Sequence, residues 1–599
     1  MDGRYLAIYI YPFSVLFYET LFMSTADWAV LLLTLLSIVA YGIYKSRGIK
    51  NIDGYLLGNR SLPWYHVGLS VMATQASAIT FLSAPGLAYS SGMSFVQFYF
   101  GLPLAMIVLC ITFIPIFHRL KVFTAYEFLE KRFDVKTRGL TALLFLIQRG
   151  ISTGITIFAP ALIISTILHI DLTLTTLVIG SFVVIYTTYG GTKAVSHTQL
   201  LQMSIIFGSL LIAGMLVIHL LPADIGLSKA LHIAGKSGKT NALDFTFDLN
   251  NNYTLWTGLI GGFFLQLSYF GTDQSQVGRY LTGSSIKESR MGLIMNGLLK
   301  IPMQFAILLI GILVFTYYQY HQPPIFFNQV EVQKLKESPY AASYQELEQK
   351  HTQLFQQRES LVNGLGTALD QDDQENIEFS RTALHQLNAQ MQQVKDSTLT
   401  LIKKNNPAAE TNDNNYVFLS FVTKAFPKGL IGLLIAVIFL ASMGSTASAI
   451  NSLASTTTID IYKRFINRNA TEKQDLLWSR IFTLIWGIFT VVIALYANKL
   501  GNLLEAVNIL GSLFYGTILG IFIVAFYMKK IQGKAVFIAA ILSEIFVVGI
   551  WYLDKIPFLW LNLIGCLAVM IIAYFIQLSL RNNSAVPNTS NTQQNNLEK

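Results

Sequence analysis

The sequence predicts an all-α membrane protein of about 13 transmembrane helices, and three observations predict it. Of the 599 residues, 53% are hydrophobic and only 13% charged, with a mean hydropathy of +0.50. Apolar stretches long enough to cross about 30 Å of hydrocarbon recur from Leu31 to Phe575, more than a soluble core can bury. The connecting loops alternate between basic and charge-poor, as loops on opposite sides of a bilayer do. The net charge of +9 therefore marks loop topology and not a nucleic-acid partner. Cys110 and Cys566 both lie inside apolar spans, which suggests neither a disulfide framework nor a metal site.

Spans are expected near residues 26–44, 64–91, 93–117, 139–168, 172–189, 196–221, 253–278, 288–320, 427–461, 479–498, 504–528, 535–553 and 557–580. The basic loops are KSRGIKNIDGYLLGNR, HRLKVFTAYEFLEKRF, RYLTGSSIKESR, IYKRFINRNATEKQDLLWSR and MKKIQGK. Counting them puts the N-terminus outside and the C-terminus in the cytoplasm of an inner or plasma membrane. Residues 1–25 read as an N-terminal extension, interrupted by Pro12 and Glu19. Residues 26–320 carry the first helices, 426–580 the remaining ones, and 581–599 a polar, disordered cytoplasmic tail.

The connection 321–425 breaks the pattern of short loops. Tyr344, His351, Arg358 and Leu365 alternate with Leu347, Leu354 and Leu361; Ile377, Leu384 and Met391 alternate with Leu387, Val394 and Leu401. NGLGTALDQD lies between the two runs as a turn. Two heptad helices so joined predict an antiparallel coiled-coil hairpin over 342–404, outside the membrane, either as decoration or as a docking surface for a protein partner.

Polar residues inside a membrane must pair or serve function. Three segments stand out: GLSVMATQASAITFLSAPG in the second span, LQLSYFGTDQSQVGRYLTG in the seventh, and IFLASMGSTASAINSLASTTTIDIY in the ninth. Small hydroxyl residues in membrane helices also serve close packing. The first two segments, however, each open a run of five spans, 64–221 and 253–528, starting from opposite sides. Two inverted five-helix repeats with broken first helices are the pattern of an alternating-access carrier with a midplane site. Carbonyls freed at such breaks suit a small hard cation.

ATQASAITF at 73–81, APAL at 159–162, YGGTKAVSHTQLLQ at 189–202, YFGTDQSQVGRYL at 269–281 and NSLASTTTIDIY at 451–462, in this order, resemble the sodium:solute symporter family. The resemblance runs from about Ala26 to Leu580 and looks closest to the branch of iodide, monocarboxylate and vitamin carriers. It implies the leucine-transporter type of fold, sodium as the coupling ion and a small organic solute as cargo. Carried over position by position, it implies a sodium site of the Ala73, Ala76 and Ala441 carbonyls with side chains at 444 and 445. Ser445 is present but Gly444 lacks the expected hydroxyl, leaving Thr446, Ser448 or a water to compensate. Where many members have Trp-Thr-Asp this chain has His197, Thr198 and Gln199, which argues against a second bound sodium.

Arg149 lies within the apolar stretch LTALLFLIQRGISTGITIFAPAL, in the span that lines the substrate cavity in this fold. At a helix centre it costs about 2.5–3.5 kcal/mol, so it needs a partner. One reading pairs it with Asp273. The other makes it a bidentate clamp for a substrate carboxylate, similar to an arginine of the sialic acid symporters. Gln75, Ser77 and Thr80 face the site if the helix unwinds near Ala76; Gln266, Tyr269 and Phe270 match a polar contact and an aromatic inner gate. Lys300 is expected to snorkel to the cytoplasmic surface. No catalytic constellation or metal-ligand spacing suggests an enzyme, and no signalling module follows Leu580 to suggest a sensor. A channel explains the broken helices less well than a carrier does. A proton-coupled or uncoupled carrier is the alternative to sodium symport.

Overall fold

The computed structural model describes residues 23–46, 51–168, 170–248, 250–407, 409–497, 503–554 and 556–584; the expected N-terminal extension and most of the polar tail lie outside them. Among the described residues the only β-type contact is one isolated bridge between Leu62 and Gly283, and the rest of the regular structure is helical. Among the described residues, ten helices are long and apolar enough to cross a membrane, or eleven if the pair α2 (Trp64–Gln75) and α3 (Ala78–Ser91), bent by 62°, is one span. Two of the thirteen expected spans do not meet that test, for identifiable reasons. The stretch at 172–189 belongs to a longer element, α5 (Leu172–His219), interrupted at Gly191 with φ 57° and ψ −179°, a conformation open only to glycine. Its apolar part, Leu172–Ile185, is short. The stretch at 253–278 is divided at Asp273 into α6 (Gly262–Thr272) and α7 (Gln274–Tyr280).

The helices bury one large apolar core and two smaller clusters, while Leu33, Leu211, Ile485, Ile545 and Phe575 stand exposed on the outer helices. Apolar surface on that scale faces lipid in a multi-pass membrane protein. The first helix, α1 (Thr25–Ser46), is tied in at its start: Asp27 Oδ1 accepts from the Gly429 and Gly432 N–H groups at 2.6 and 3.0 Å. It thereby caps α11 (Leu430–Thr456).

A second tie joins α4 (Val135–Leu168) to the segment after α11. Arg138 Nη2 lies 2.6 Å from Asp460 Oδ1 and Nη1 lies 2.6 Å from Glu130. Thr124 Oγ1 donates to the same Asp460 oxygen at 2.8 Å. Both Arg138 and Asp460 are buried, so each is the other's main compensation. Asp460→Leu should destabilise by about 3–5 kcal/mol by leaving a buried guanidinium short of its partner. Arg138→Met with Asp460→Leu should recover most of that loss, as thermal unfolding in detergent would show.

The hairpin forms as α9 (Ala341–Asp370) and α10 (Gln374–Asn405). Tyr344, His351, Leu354, Arg358 and Leu365 are buried on the first helix, and Ile377, Leu384, Leu387, Met391 and Val394 on the second, which are the heptad positions. The turn falls later than expected. Helix α9 continues through Gly364 and Gly366, although glycine costs a helix about 1 kcal/mol. A Cβ at Gly366 would touch Lys229 Cε at 3.1 Å, so packing sustains the helix there. Reversal comes where Asp372 takes φ +52° and Asp373 caps α10, a task suited to aspartate. The hairpin is docked on the helical core: Arg358 Nη2 donates to the Tyr318 carbonyl at 2.7 Å, and Lys229 meets Asp370 at 2.7 Å.

Beside its base, Glu410 shares a cavity wall with Asn328, Glu331 and Tyr416, and its Oε1 has no hydrogen-bond partner. Burial, with Asp413 nearby, pushes its carboxyl up to about 8. The folded state therefore holds this proton more tightly than the unfolded chain. The stabilisation is fully present below the ordinary value of 4.5 and is lost as the pH rises to about 8. Glu410→Gln should remove that part of the pH dependence, so the gap in unfolding temperature between variant and parent should widen from pH 4.5 to pH 8.

Candidate functional site

Helix α2 stops because Ala76 (φ −81°, ψ 85°) and Ser77 (φ −85°, ψ 173°) leave helical geometry. The Ser77 N–H donates to the Gln75 carbonyl and the Thr80 N–H to the Ser77 carbonyl. In an unbroken helix those donors would serve Ala73 and Ala76. The break thus frees the two carbonyls that the resemblance implicates, and both residues are buried. Helix α11 packs against this break: Thr74 Oγ1 donates to Ser448 Oγ at 3.1 Å. On α11, Ser445 sits about one turn before Ser448 and Ala441 about two, with Ser445 Oγ donating to the Ala441 carbonyl at 2.9 Å.

The two hydroxyls expected to compensate for Gly444 have different surroundings. Ser448 is engaged with Thr74 and with Gln199 Nε2, and Thr446 lies about 200° around the helix from residue 444. The space is filled instead by Gln202, whose Oε1 lies 2.5 Å from where a Gly444 Cβ would stand. Gln202 is buried, and neither its Oε1 nor its Nε2 has a partner. Gln199 Nε2 donates to the Gly444 carbonyl, Ser448 Oγ and Thr74 Oγ1 at 3.0, 2.9 and 3.2 Å, while its Oε1 accepts from Ser70 at 2.6 Å.

A cavity of about 90 Å³ lies between the two broken helices, lined by Gln75, Ser77, Thr80, Arg149, Gln266 and Tyr269 among others. That is room for several waters. Gln75 Nε2 donates to Gln266 Oε1 at 3.3 Å, leaving Gln75 Oε1 and Gln266 Nε2 unpartnered. Six of the eight expected substrate residues thus meet here. Phe270 does not line the cavity; it is buried beside Tyr269, ring centroids 5.0 Å apart. Asp273 stands behind the wall. Its Oδ2 lies 3.7 Å from Arg149 Nη1 and accepts from Tyr515 at 2.9 Å. Its Oδ1 accepts from the Ser275 N–H and hydroxyl at 2.8 and 2.6 Å, capping α7. Arg149 Nη2 donates to Ser275 Oγ, its guanidinium lies 5.5 Å from the Tyr269 ring centroid, and its Nε has no partner.

Sequence reasoning missed Tyr99, Asn508 and Tyr515 in the wall; only the small residues around Tyr515, in LGSLFYGTILG, hinted at a close approach. Lys300 corrects an expectation outright. It is fully buried, 5.6 Å from the Tyr99 ring centroid, with no hydrogen-bond partner for Nζ. It lies 14 residues into α8 (Ile286–Tyr320), about 21 Å along the axis, too deep to snorkel.

A helical membrane protein with two broken helices around a buried, arginine-bearing polar cavity has the build of a solute carrier rather than of an enzyme. The model of the sodium:solute symporter family matches residues 55–338 and 398–543, and the chain belongs to that family, whose members are sodium-coupled secondary transporters. Among its relatives, the sodium/sialic acid symporter SiaT of Proteus mirabilis is 26% identical over 91% of this chain and 93% of its own length. The human sodium/iodide cotransporter is 31% identical over 49% of this chain and 45% of its own length. The sodium-coupled monocarboxylate transporter 1 of Xenopus laevis is 33% identical over 45% of this chain and 43% of its own. The fold is that of a substrate-bound, outward-open sodium-coupled sialic acid symporter, with a TM-score of 0.72 at 23% identity over 93% of this chain and 98% of that one.

Proposed function

We propose that this symporter carries a small organic anion, a sialic acid or monocarboxylate, together with one sodium ion by alternating access. The observation that carries the reading is Arg149 in the wall of the cavity between the two broken helices. Asp273 and Ser275 hold the guanidinium from behind, and its unpartnered Nε remains for a carboxylate oxygen. Gln75 and Gln266 offer the cargo one free acceptor and one free donor, and Tyr269 closes the inner side.

Sodium binds at the carbonyls of Ala73, Ala76 and Ala441 and the Ser445 hydroxyl, with the Gln202 amide oxygen beside Gly444 in place of the absent side chain. The thirteen-span topology follows if 172–189 and 253–278 also cross. The two five-helix runs are then inverted repeats, with the N-terminus outside, the C-terminus cytoplasmic, and the 342–404 hairpin external. In that position the hairpin is a docking element for a partner on the outer face.

Two experiments test this. In proteoliposomes, uptake should require a sodium gradient with a Hill coefficient near one, and Ser445→Ala should raise the sodium requirement about tenfold or more. Equal uptake in sodium and choline buffers would overturn sodium binding here. For the clamp, Arg149→Gln should abolish binding of carboxylates from a sugar-acid and monocarboxylate panel. Arg149→Lys, which keeps the charge but not the fork, should weaken it by roughly tenfold. Adding Asp273→Asn to Arg149→Gln should not rescue affinity; full rescue would reduce Arg149 to an internal ion-pair partner.

A further inference from the structure

Arg279 is an anomalous buried charge. Its side chain is 1% exposed, yet it pairs with no carboxylate among the described residues. Its one side-chain hydrogen bond runs from Nη2 to the neutral Thr192 hydroxyl at 3.3 Å, while Nε and Nη1 have no acceptor. A guanidinium taken out of water with two donor positions empty is unfavourable unless something anionic or a water fills them. The contrast with Arg138, whose carboxylate partners lie at 2.6 Å, shows what a structurally paired arginine looks like in this fold.

The position of Arg279 suggests what fills the vacant side. Ser275, whose Oγ receives Arg149, and Arg279 are four residues apart on α7, so they share one face, about 6 Å apart along the axis. Across from Arg279 is Thr192, the first residue beyond the Gly191 interruption of α5. The two guanidiniums therefore follow one another along one face of α7, from the cavity toward the basic loop 279–290.

The geometry points to Arg279 as a second, inner anion site, which takes the carboxylate after it leaves Arg149 and before it reaches the cytoplasm. The idea of release in that direction rests on the proposed anion cargo and orientation. The existence of an anion site does not. Nε and Nη1 leave charged N–H donors without acceptors, which suits a carboxylate or another small oxyanion better than a cation or a neutral sugar.

Acetate, the minimal carboxylate, is the probe, and the purified full chain in detergent with sodium HEPES is the sample. Acetate should raise the unfolding temperature of the parent. Arg149→Gln should keep a weaker, saturable response, and Arg149→Gln with Arg279→Gln should lose it. In acetate-free buffer Arg279→Gln should unfold no lower than the parent, because it removes an unpaired buried charge. In preloaded vesicles Arg279→Gln should bind carboxylate from outside within about threefold of the parent, yet slow counterflow about tenfold; Arg279→Lys should fall between.

Identical acetate responses in Arg149→Gln and in the double variant would overturn the inner site, whatever becomes of Arg149. So would an acetate-free loss of stability in Arg279→Gln that Arg279→Lys repairs, since that marks a structural hydrogen bond. An acetate response that survives in Arg149→Gln but vanishes in the double variant supports the inner site even if Arg149→Gln leaves transport intact. That last result would instead remove Arg149 from the proposed function.

Discussion

A peptide group in hydrocarbon has no water to bond when its helix partner is lost, and the rest of this structure is arranged around that constraint. The chain breaks a helix at Ala76–Ser77 and again at Asp273. Each break is compensated differently. At the first, turn-like bonds at Ser77 and Thr80 take up two N–H groups, and the carbonyls of Ala73 and Ala76 are left over. At the second, the Asp273 side chain accepts the Ser275 N–H itself. The first break therefore ends as an oxygen-rich spot suited to a hard cation, and the second as a carboxylate beside an arginine. Chemistry differs at the two breaks because the backbone debt is settled by backbone in one and by a side chain in the other.

The second consequence concerns buried charge. Asp273 caps α7, accepts from Tyr515 and faces Arg149, so one carboxylate serves helix, wall and a buried guanidinium together. Because its oxygens are already occupied by Ser275 and Tyr515, its grip on Arg149, at 3.7 Å, is looser than that of Asp460 on Arg138, at 2.6 Å. A tightly held guanidinium is structural; a loosely held one, facing a cavity with a free Nε, retains capacity for a ligand. Burial alone does not distinguish the two, and the hydrogen-bond inventory does.

Much of this was legible in the residues. Hydroxyl and small side chains from Ala73 to Thr80, and Ser268 to Gln274 in an apolar run, mark both breaks, although a similar run in α11, unbroken over Leu430–Thr456, marks close packing instead. Heptad spacing locates many of the hairpin's buried positions, although Leu347, Leu361 and Leu401 are only half-buried and Phe355, Val362 and Ile402 are buried outside it. What was not legible depended on three-dimensional neighbours. The depth of Lys300 depends on where α8 begins relative to the bilayer, which composition does not fix. The turn of the hairpin was drawn too early because Gly364 and Gly366 look like breakers until Lys229 is seen packed against the second. Tyr99 and Tyr515 look like ordinary aromatic packing along their own helices, and only the tertiary fold turns them toward one cavity.

Gln199 shows why a local motif reads differently once its surroundings are known. In the sequence it is a missing carboxylate. In the fold its Nε2 meets three oxygens, from Thr74, Ser448 and Gly444, although an amide nitrogen has only two hydrogens to give. Three acceptors converging on one donor is the environment of a small cation, occupied here by a tethered neutral group. The amide satisfies those oxygens without adding charge, and it holds α5 against α11. Gln202, on the same face of α5, is left to turn its oxygen toward Gly444. A neutral donor thus sits in one oxygen cluster and a free acceptor beside the next.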